Sequence, residues 1–250
     1  MVGLTIQCSE VRFHQITAVL WDKDGTLADS HGFLRELAHQ RSHLLNQKFP
    51  GIYDSLMTAF GCAQRQYDPA GLMAVGTRYE NEVAAAAYVA ATGKSWTEAL
   101  ALAQSAFAES DRSVIRKAEF TPPFPKIPQL LRQGHELGLK VAVLSGDTTA
   151  NIQDFLDCYG LSATVAWYAG SEAPPVKPDP QMVWTAGERL GVAPENCLVI
   201  GDSGLDEQLA RRSGCAGFVS VTWGGSPAIA TADAVLTDPQ QLHLSAIAAP

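Results

Sequence analysis

The chain has 250 residues, 46% of them apolar, which is ample for one large domain or two smaller ones and excludes disorder as its main state. Its formal charge is −8 and its longest basic run is the pair Arg211-Arg212, so a nucleic-acid surface is not expected. The longest apolar stretch, Val83 to Ala91, is far short of the roughly 20 residues that cross a bilayer, and no basic segment followed by an apolar core opens the chain, so neither a membrane span nor a secretory signal is expected.

Residues 1 to 15, with Leu4, Ile6, Val11 and Phe13, read as an edge strand or hairpin. Short apolar runs that read as buried strands follow at Thr17 to Trp21, Lys140 to Leu144, Thr164 to Tyr168, Cys197 to Ile200 and Gly217 to Val221. From about Ser30 to Glu119 no strand pattern occurs; "NEVAAAAYVAATG" and "SWTEALALAQSAFAES" are helical, and the four prolines of "TPPFPKIP" predict an extended, stiff connector back to the strands. Beyond it, helix-period stripes fill the gaps between runs. They are Ile127, Leu130, Leu131 and Leu137 before Gly138; Ile152, Phe155, Leu156 and Tyr159 before Gly160; Met182, Val183, Ala186 and Leu190 before Gly191; and Leu205, Leu209 and Ala210 before Gly214. Strand and helix in alternation predict an α/β fold, a parallel sheet covered on both faces. The helical stretch predicts an inserted cap over residues 30–119, with the core built from 1–29 and 120–250.

Ligands of open parallel sheets bind beyond the carboxyl ends of the strands, so the residues that follow each run are the ones to collect. The first run is followed by Asp22-Lys23-Asp24-Gly25-Thr26 and the second by Ser145-Gly146-Asp147; Lys177 lies in "PPVKPDP", and "GDSGLD" supplies Asp202 and Asp206. Carboxylates from two strands converging on one point repel unless a cation lies between them, and oxygen donors of this type suit Mg²⁺. A hydroxyl with backbone amides and one ammonium are what the remaining oxygens of a phosphoryl group require. Singly, Asp24-Gly25 also reads as a turn, Ser145-Gly146-Asp147 as a helix cap, Lys177-Pro178 as a surface loop and Asp202 as a loop acid.

Together, "DKDGTL", "VLSGD", the lysine of "VKPDP" and "VIGDSGLD" resemble, in order, the four motifs of the haloacid dehalogenase superfamily on its phosphatase branch, of the phosphoglycolate phosphatase type. The resemblance implies a Rossmann-like core with an all-helical cap and a small phosphorylated metabolite as substrate. It implies that Asp22 attacks phosphorus to form an aspartyl phosphate and that Asp24 protonates the leaving oxygen and then deprotonates water. Mg²⁺ would be held by the carboxylates of Asp22 and Asp202 and the backbone carbonyl of Asp24. Ser145, Gly146 and Lys177 would bind the phosphoryl group, with Thr26 and Asp206 in support. Specificity would come from the cap, where His31, Arg35 and Arg78, next to Tyr79, are the candidates, an arginine there suiting a substrate carboxylate as in phosphoglycolate. A sugar-phosphate mutase and a catalytically silent phosphate-binding protein are the alternatives.

Two positions depart from the commonest pattern. Lys23 takes the place of an apolar residue and is expected to point away from the two aspartates, on the opposite strand face. Asp147 adds a carboxylate beside the phosphate site and is expected to cap the helix beginning at Thr148. The five cysteines show no CxxC spacing and suit reduced thiols in a cytoplasmic chain, the six histidines show no metal-ligand spacing, and Trp184 and Trp223 read as packing residues. Whether the chain is a monomer or a dimer is left open by the sequence.

Overall fold

The computed structural model describes residues 3–63, 67–112 and 116–246. The chain divides into two compact units, residues 1–29 with 117–250 and residues 30–116. Lys117–Glu119, expected at the end of the helical insert, therefore group with the sheet unit. The cause is local: Lys117 pairs with Asp24 and Asp147, and the Tyr159 hydroxyl donates to the Ala118 carbonyl at 2.7 Å.

The sheet unit is built on six strands: β3 (Ala18–Trp21), β4 (Lys140–Leu144), β5 (Trp167–Ala169), β6 (Cys197–Gly201), β7 (Gly217–Val221) and β8 (Ala234–Leu236). Their order is β5-β4-β3-β6-β7-β8, with every neighbouring pair parallel. Strand residues alternate between two apolar layers. Val19, Trp21, Val141, Val143, Leu198 and Ile200 pack with Ile127, Leu131, Ile152 and Phe155 of α6 (Ile127–Glu136) and α7 (Thr149–Cys158). Ala18, Leu20, Ala142, Leu144, Cys197 and Val199 pack with Met182, Val183, Leu209 and Ala210 of α8 (Gln181–Leu190) and α9 (Gly204–Ser213). Each fully buried large aliphatic or Phe side chain contributes about 1.5–3 kcal/mol, so both faces are stabilised by burial and the strands read as continuous apolar runs.

Residues near the start form a hairpin of β1 (Leu4–Cys8) and β2 (Val11–Ile16), joined antiparallel by β9 (Leu242–Ala246) in a separate three-stranded sheet rather than added to the edge of the main one. The expected strand at Thr164 to Tyr168 shifts to β5 because Thr164 closes a turn, its amide at 2.9 Å and its hydroxyl at 2.7 Å from the Leu161 carbonyl. The proline segment is a shorter connector than expected: Pro128 already lies in the first turn of α6, where a missing N–H costs nothing.

The second unit, residues 30–116, consists of α1 (His31–Lys48), α2 (Tyr53–Ala59), α3 (Leu72–Val75), α4 (Arg78–Ala90) and α5 (Trp96–Arg112); no strand occurs among its described residues. Its core joins Leu45, Leu56, Phe60 and Phe107 with Ala38, Ala85, Ala86, Ala99, Ala103 and Ala106, small side chains that let α4 and α5 approach closely. Thr77 and Glu80 form a capping box that starts α4.

Candidate active site

In register, Trp21 faces Val143 of β4 and Ile200 of β6, so those two strands end one residue beyond β3, level with Asp22. The residues beyond those ends, Asp22, Ser145 and Asp202, are thereby brought together at the point where the chain order of the sheet reverses. The Asp22 amide still donates to the Ile200 carbonyl at 2.9 Å, and the loop then wraps around the Lys23 carbonyl, which accepts from the Leu27 and Ala28 amides at 2.8 Å each.

Lys177 binds two of the acids, its Nζ lying 2.5 Å from Asp22 Oδ1 and 2.5 Å from Asp206 Oδ1. Asp206 is fixed from its other oxygen: Oδ2 accepts from the Ser203 hydroxyl at 2.6 Å and the Ser203 amide at 3.1 Å, the capping box that opens α9. Asp202 Oδ2 accepts from the Ser226 hydroxyl at 2.7 Å. Asp22, Asp202 and Asp206 each offer a carboxylate oxygen within 4.8 Å of the others.

Three acids against one ammonium leave this pocket short of positive charge, and the acids respond. Burial, together with Asp206 and Asp202, pushes Asp22 up to about 8 even though Lys177 opposes the shift. Burial and Asp206 push Asp202 up to about 6 against the Ser226 hydrogen bond. Lys177 is pushed up as well: burial disfavours its charge, but Asp206 and Asp22 outweigh it and hold it protonated. Hard oxygen donors with unbalanced negative charge fit a divalent cation such as Mg²⁺, for which Asp22, Asp202 and Asp206 are the carboxylates in reach. The Asp24 carboxylate is not one of this group.

Asp24 turns instead toward Lys23 Nζ at 2.5 Å and Lys117 Nζ at 2.8 Å. Burial would raise its pKa, but the two ammonium groups outweigh that and hold the carboxyl below the usual carboxylate range. Lys23 thus does not point away from the aspartates as expected. The strand ends at Trp21, so beyond it the two-residue alternation of side chains no longer applies. Asp147 differs from its expectation as well: Thr148 is the N-cap of α7, its hydroxyl accepting from the Asn151 amide at 3.2 Å. Asp147 Oδ1 accepts from the Thr148 amide at 2.8 Å and Asn151 Nδ2 at 2.7 Å, while Oδ2 meets Lys117 at 2.6 Å and Lys23 at 3.0 Å.

Ser145 is buried, with its hydroxyl accepting from the Asp147 amide at 3.1 Å, and Gly146 has open space where a Cβ would stand. Thr26 is fully buried; its carbonyl accepts from Trp223 Nε1 at 2.9 Å and its hydroxyl has no partner among the described residues. Trp223 thus packs on the loop that carries the acids, and Trp184 donates to the Ser213 carbonyl at 3.3 Å.

Of the three specificity candidates, all in the helical unit, His31 stacks on Tyr67 with ring centroids 4.4 Å apart, and Arg35 faces Cys62, opposing the upward push of burial on that thiol. Arg78 reaches Glu82 Oε1 at 2.7 Å and Asp111, so its guanidinium is engaged by two carboxylates of its own unit rather than presented for a substrate carboxylate. Lys117 and Ser226 were not among the residues singled out from sequence. The one hint to the former was that Lys23 and Asp147, the two departures from pattern, carry opposite charge.

A family model for haloacid dehalogenase-like hydrolases matches residues 16–214, and the chain belongs to that family. It is 29% identical over 157 residues to a phosphoglycolate phosphatase of Pseudomonas putida, a match covering 61% of this chain and 55% of that one. The chain spans between about a third and just over half of the length of the curated relatives it matches, 35% to 55% for the first three. Among solved structures, a predicted phosphoglycolate phosphatase from Haemophilus somnus superposes with a TM-score of 0.64 at 20% identity, over 90% of this chain and 95% of that one. A HAD family hydrolase from Deinococcus radiodurans with bound phosphate and sodium gives 0.61 at 20% identity, over 90% and 92%. These likenesses share the α/β fold. No helix among the described residues is long and apolar enough to cross a membrane.

Proposed function

We propose that the protein is a Mg²⁺-dependent phosphomonoester hydrolase that works through an aspartyl phosphate. The observation that carries this reading is Asp22, level with the ends of β4 and β6, held by Lys177 at 2.5 Å, and within carboxylate reach of Asp202 and Asp206. Asp22, Asp202 and Asp206, with the Asp24 backbone carbonyl as a further donor, would hold Mg²⁺, which when bound would neutralise charge on the dianionic phosphoryl group. An Asp22 oxygen forms a bond to phosphorus as the ester P–O bond breaks, with Lys177 fixing the carboxylate's orientation. Asp24, a carboxylate between two ammonium groups in the free protein, takes up a proton from solvent once the dianionic substrate offsets them, passes it to the leaving oxygen and later takes one from the water that hydrolyses the intermediate. Ser145, Gly146 and Lys177 bind the transferred phosphoryl oxygens, and Thr26 and Asp206 support the loop and the lysine.

The substrate class is a small phosphorylated metabolite, and the phosphoglycolate phosphatases among its relatives support a phosphorylated small acid. Five unpaired thiols support a cytoplasmic setting. Purified protein is to be assayed for phosphate release across a metabolite panel with Mg²⁺ or with EDTA. Metal-dependent release that Asp22→Asn abolishes supports the reading. No turnover on any substrate contradicts it, and phosphoryl transfer between sugar phosphates without net release would make the protein a mutase.

A further inference from the structure

Both oxygens of the Asp24 carboxylate are taken, Oδ1 by Lys23 at 2.5 Å and Oδ2 by Lys117 at 2.8 Å. The same two ammonium groups converge on Asp147 Oδ2, at 3.0 and 2.6 Å. Two cations and two anions therefore alternate in a closed network without net charge, as buried charges require.

The two lysines are not equivalent. Lys23 is fully buried and lies 5.7 Å over the Phe155 ring. Lys117, whose side chain is 19% exposed, begins the short 3₁₀ turn Lys117–Phe120 where the chain returns from the helical unit. That turn is pinned to α7 by the Tyr159 hydroxyl on the Ala118 carbonyl, and Lys117 keeps Asp147 as a second seat. Oδ2 is thus the Asp24 oxygen held by the partly exposed lysine, and Lys117 is the group that decides whether it is engaged or released.

We propose that Lys117 is a positioning residue for proton transfer by Asp24: seated on Asp147, it aims Oδ2 and lets it go when the leaving oxygen arrives. The inference rests on the proposed role of Asp24. In that step the incoming dianionic phosphoryl group offsets the two ammonium groups, so Oδ2, released by Lys117, takes up a proton from water; as the ester P–O bond breaks and the bond from Asp22 to phosphorus forms, that proton moves to the leaving oxygen, and Lys117 keeps its own protons.

The test compares kcat/KM for an alkyl phosphate, whose leaving oxygen needs a proton, with that for p-nitrophenyl phosphate, whose leaving oxygen hardly does. Lys117→Met, Lys117→Arg and Asp24→Asn are measured beside the wild type. Lys117→Met is expected to lose about 10- to 100-fold more on the alkyl than on the aryl substrate, part of the range general acid catalysis supplies, and Lys117→Arg is expected to recover most of that bias. Because both substrates are read on one preparation, the ratio is independent of the fraction folded. Equal losses on the two substrates for Lys117→Met, with the bias present in Asp24→Asn, overturn the role of Lys117 alone. A missing bias in Asp24→Asn overturns the role of Asp24 and that of Lys117 with it.

Discussion

A Cβ on Gly25 would stand 2.2 Å from Asp202 Oδ2, so the loop that follows Asp22 and the loop that follows β6 meet backbone against carboxylate. Gly25 also has φ +85°, a left-handed conformation that costs an L-residue about 1–2 kcal/mol. Gly25→Ala is therefore expected to lower Tm by several degrees, since about 1 kcal/mol moves a chain of this size by ~2–4 °C. Because the clash falls on Asp202, the stabilisation on adding Mg²⁺ should shrink as well. Thermal melts with and without Mg²⁺ check both, and an unchanged Mg²⁺ increment would show that Asp202 tolerates displacement.

The hydroxyl of Ser226 at 2.7 Å from Asp202 Oδ2 orients that carboxylate from outside the acidic group. Partners of metal-binding carboxylates typically alter affinity by about 10- to 100-fold when removed. Ser226→Ala should weaken Mg²⁺ binding by about tenfold while leaving the fold intact, measured by calorimetric titration of the protein with Mg²⁺ alone. Unchanged affinity would assign Ser226 to loop packing.

The central strands were legible because burial on both faces leaves uninterrupted runs such as Val141 to Leu144 and Leu198 to Ile200, and the acids followed from where those runs end. β9 was not, since it pairs with β1 across most of the chain and its apolar residues, Leu242 and Leu244, are too few to stand out. Lys117 escaped for the same reason: 93 residues separate it from Asp24, and locally it is one more lysine ahead of a proline segment. Lys23 was misdirected by carrying strand alternation past Trp21 into a loop that turns about its own carbonyl. Arg78 was readable as a cation at the start of a helix, but not as one already matched by Glu82 and Asp111.

Asp22 and Asp24 are two residues apart yet lie in opposite electrostatic settings, one among acids and the other between two ammonium groups. Asp22→Asn should reduce turnover by on the order of 10³-fold or more and leave no phosphoenzyme, because the carboxylate proposed to attack is gone. Asp24→Asn should slow turnover by about 10²- to 10⁴-fold while a phosphoenzyme still accumulates. Acid quenching after brief exposure to a ³²P-labelled substrate distinguishes them. Labelled protein from Asp22→Asn would move the nucleophile elsewhere.

The last prediction concerns stability against pH and turns on Asp147. Burial disfavours its charge, but Lys23 and Lys117 outweigh burial and the repulsion of Asp24, so its folded pKa lies below the ordinary carboxylate value. A carboxyl with a lowered folded pKa adds stability that is complete above its unfolded value of about 3.9 and is lost as pH falls through the folded value. Asp147→Asn keeps the shape and the acceptor for the Thr148 amide but leaves two ammonium groups sharing Asp24 alone. Removing one partner of a buried pair costs on the order of 3 kcal/mol. Urea denaturation of the wild type and Asp147→Asn should therefore differ by a constant amount between about pH 5 and 8, and the gap should close below about pH 4 as the wild-type carboxyl takes up its proton. A gap that persists unchanged to pH 3 would mean that Asp147 stabilises through its hydrogen bonds to Thr148 and Asn151, and not through the charge it shares with the two lysines.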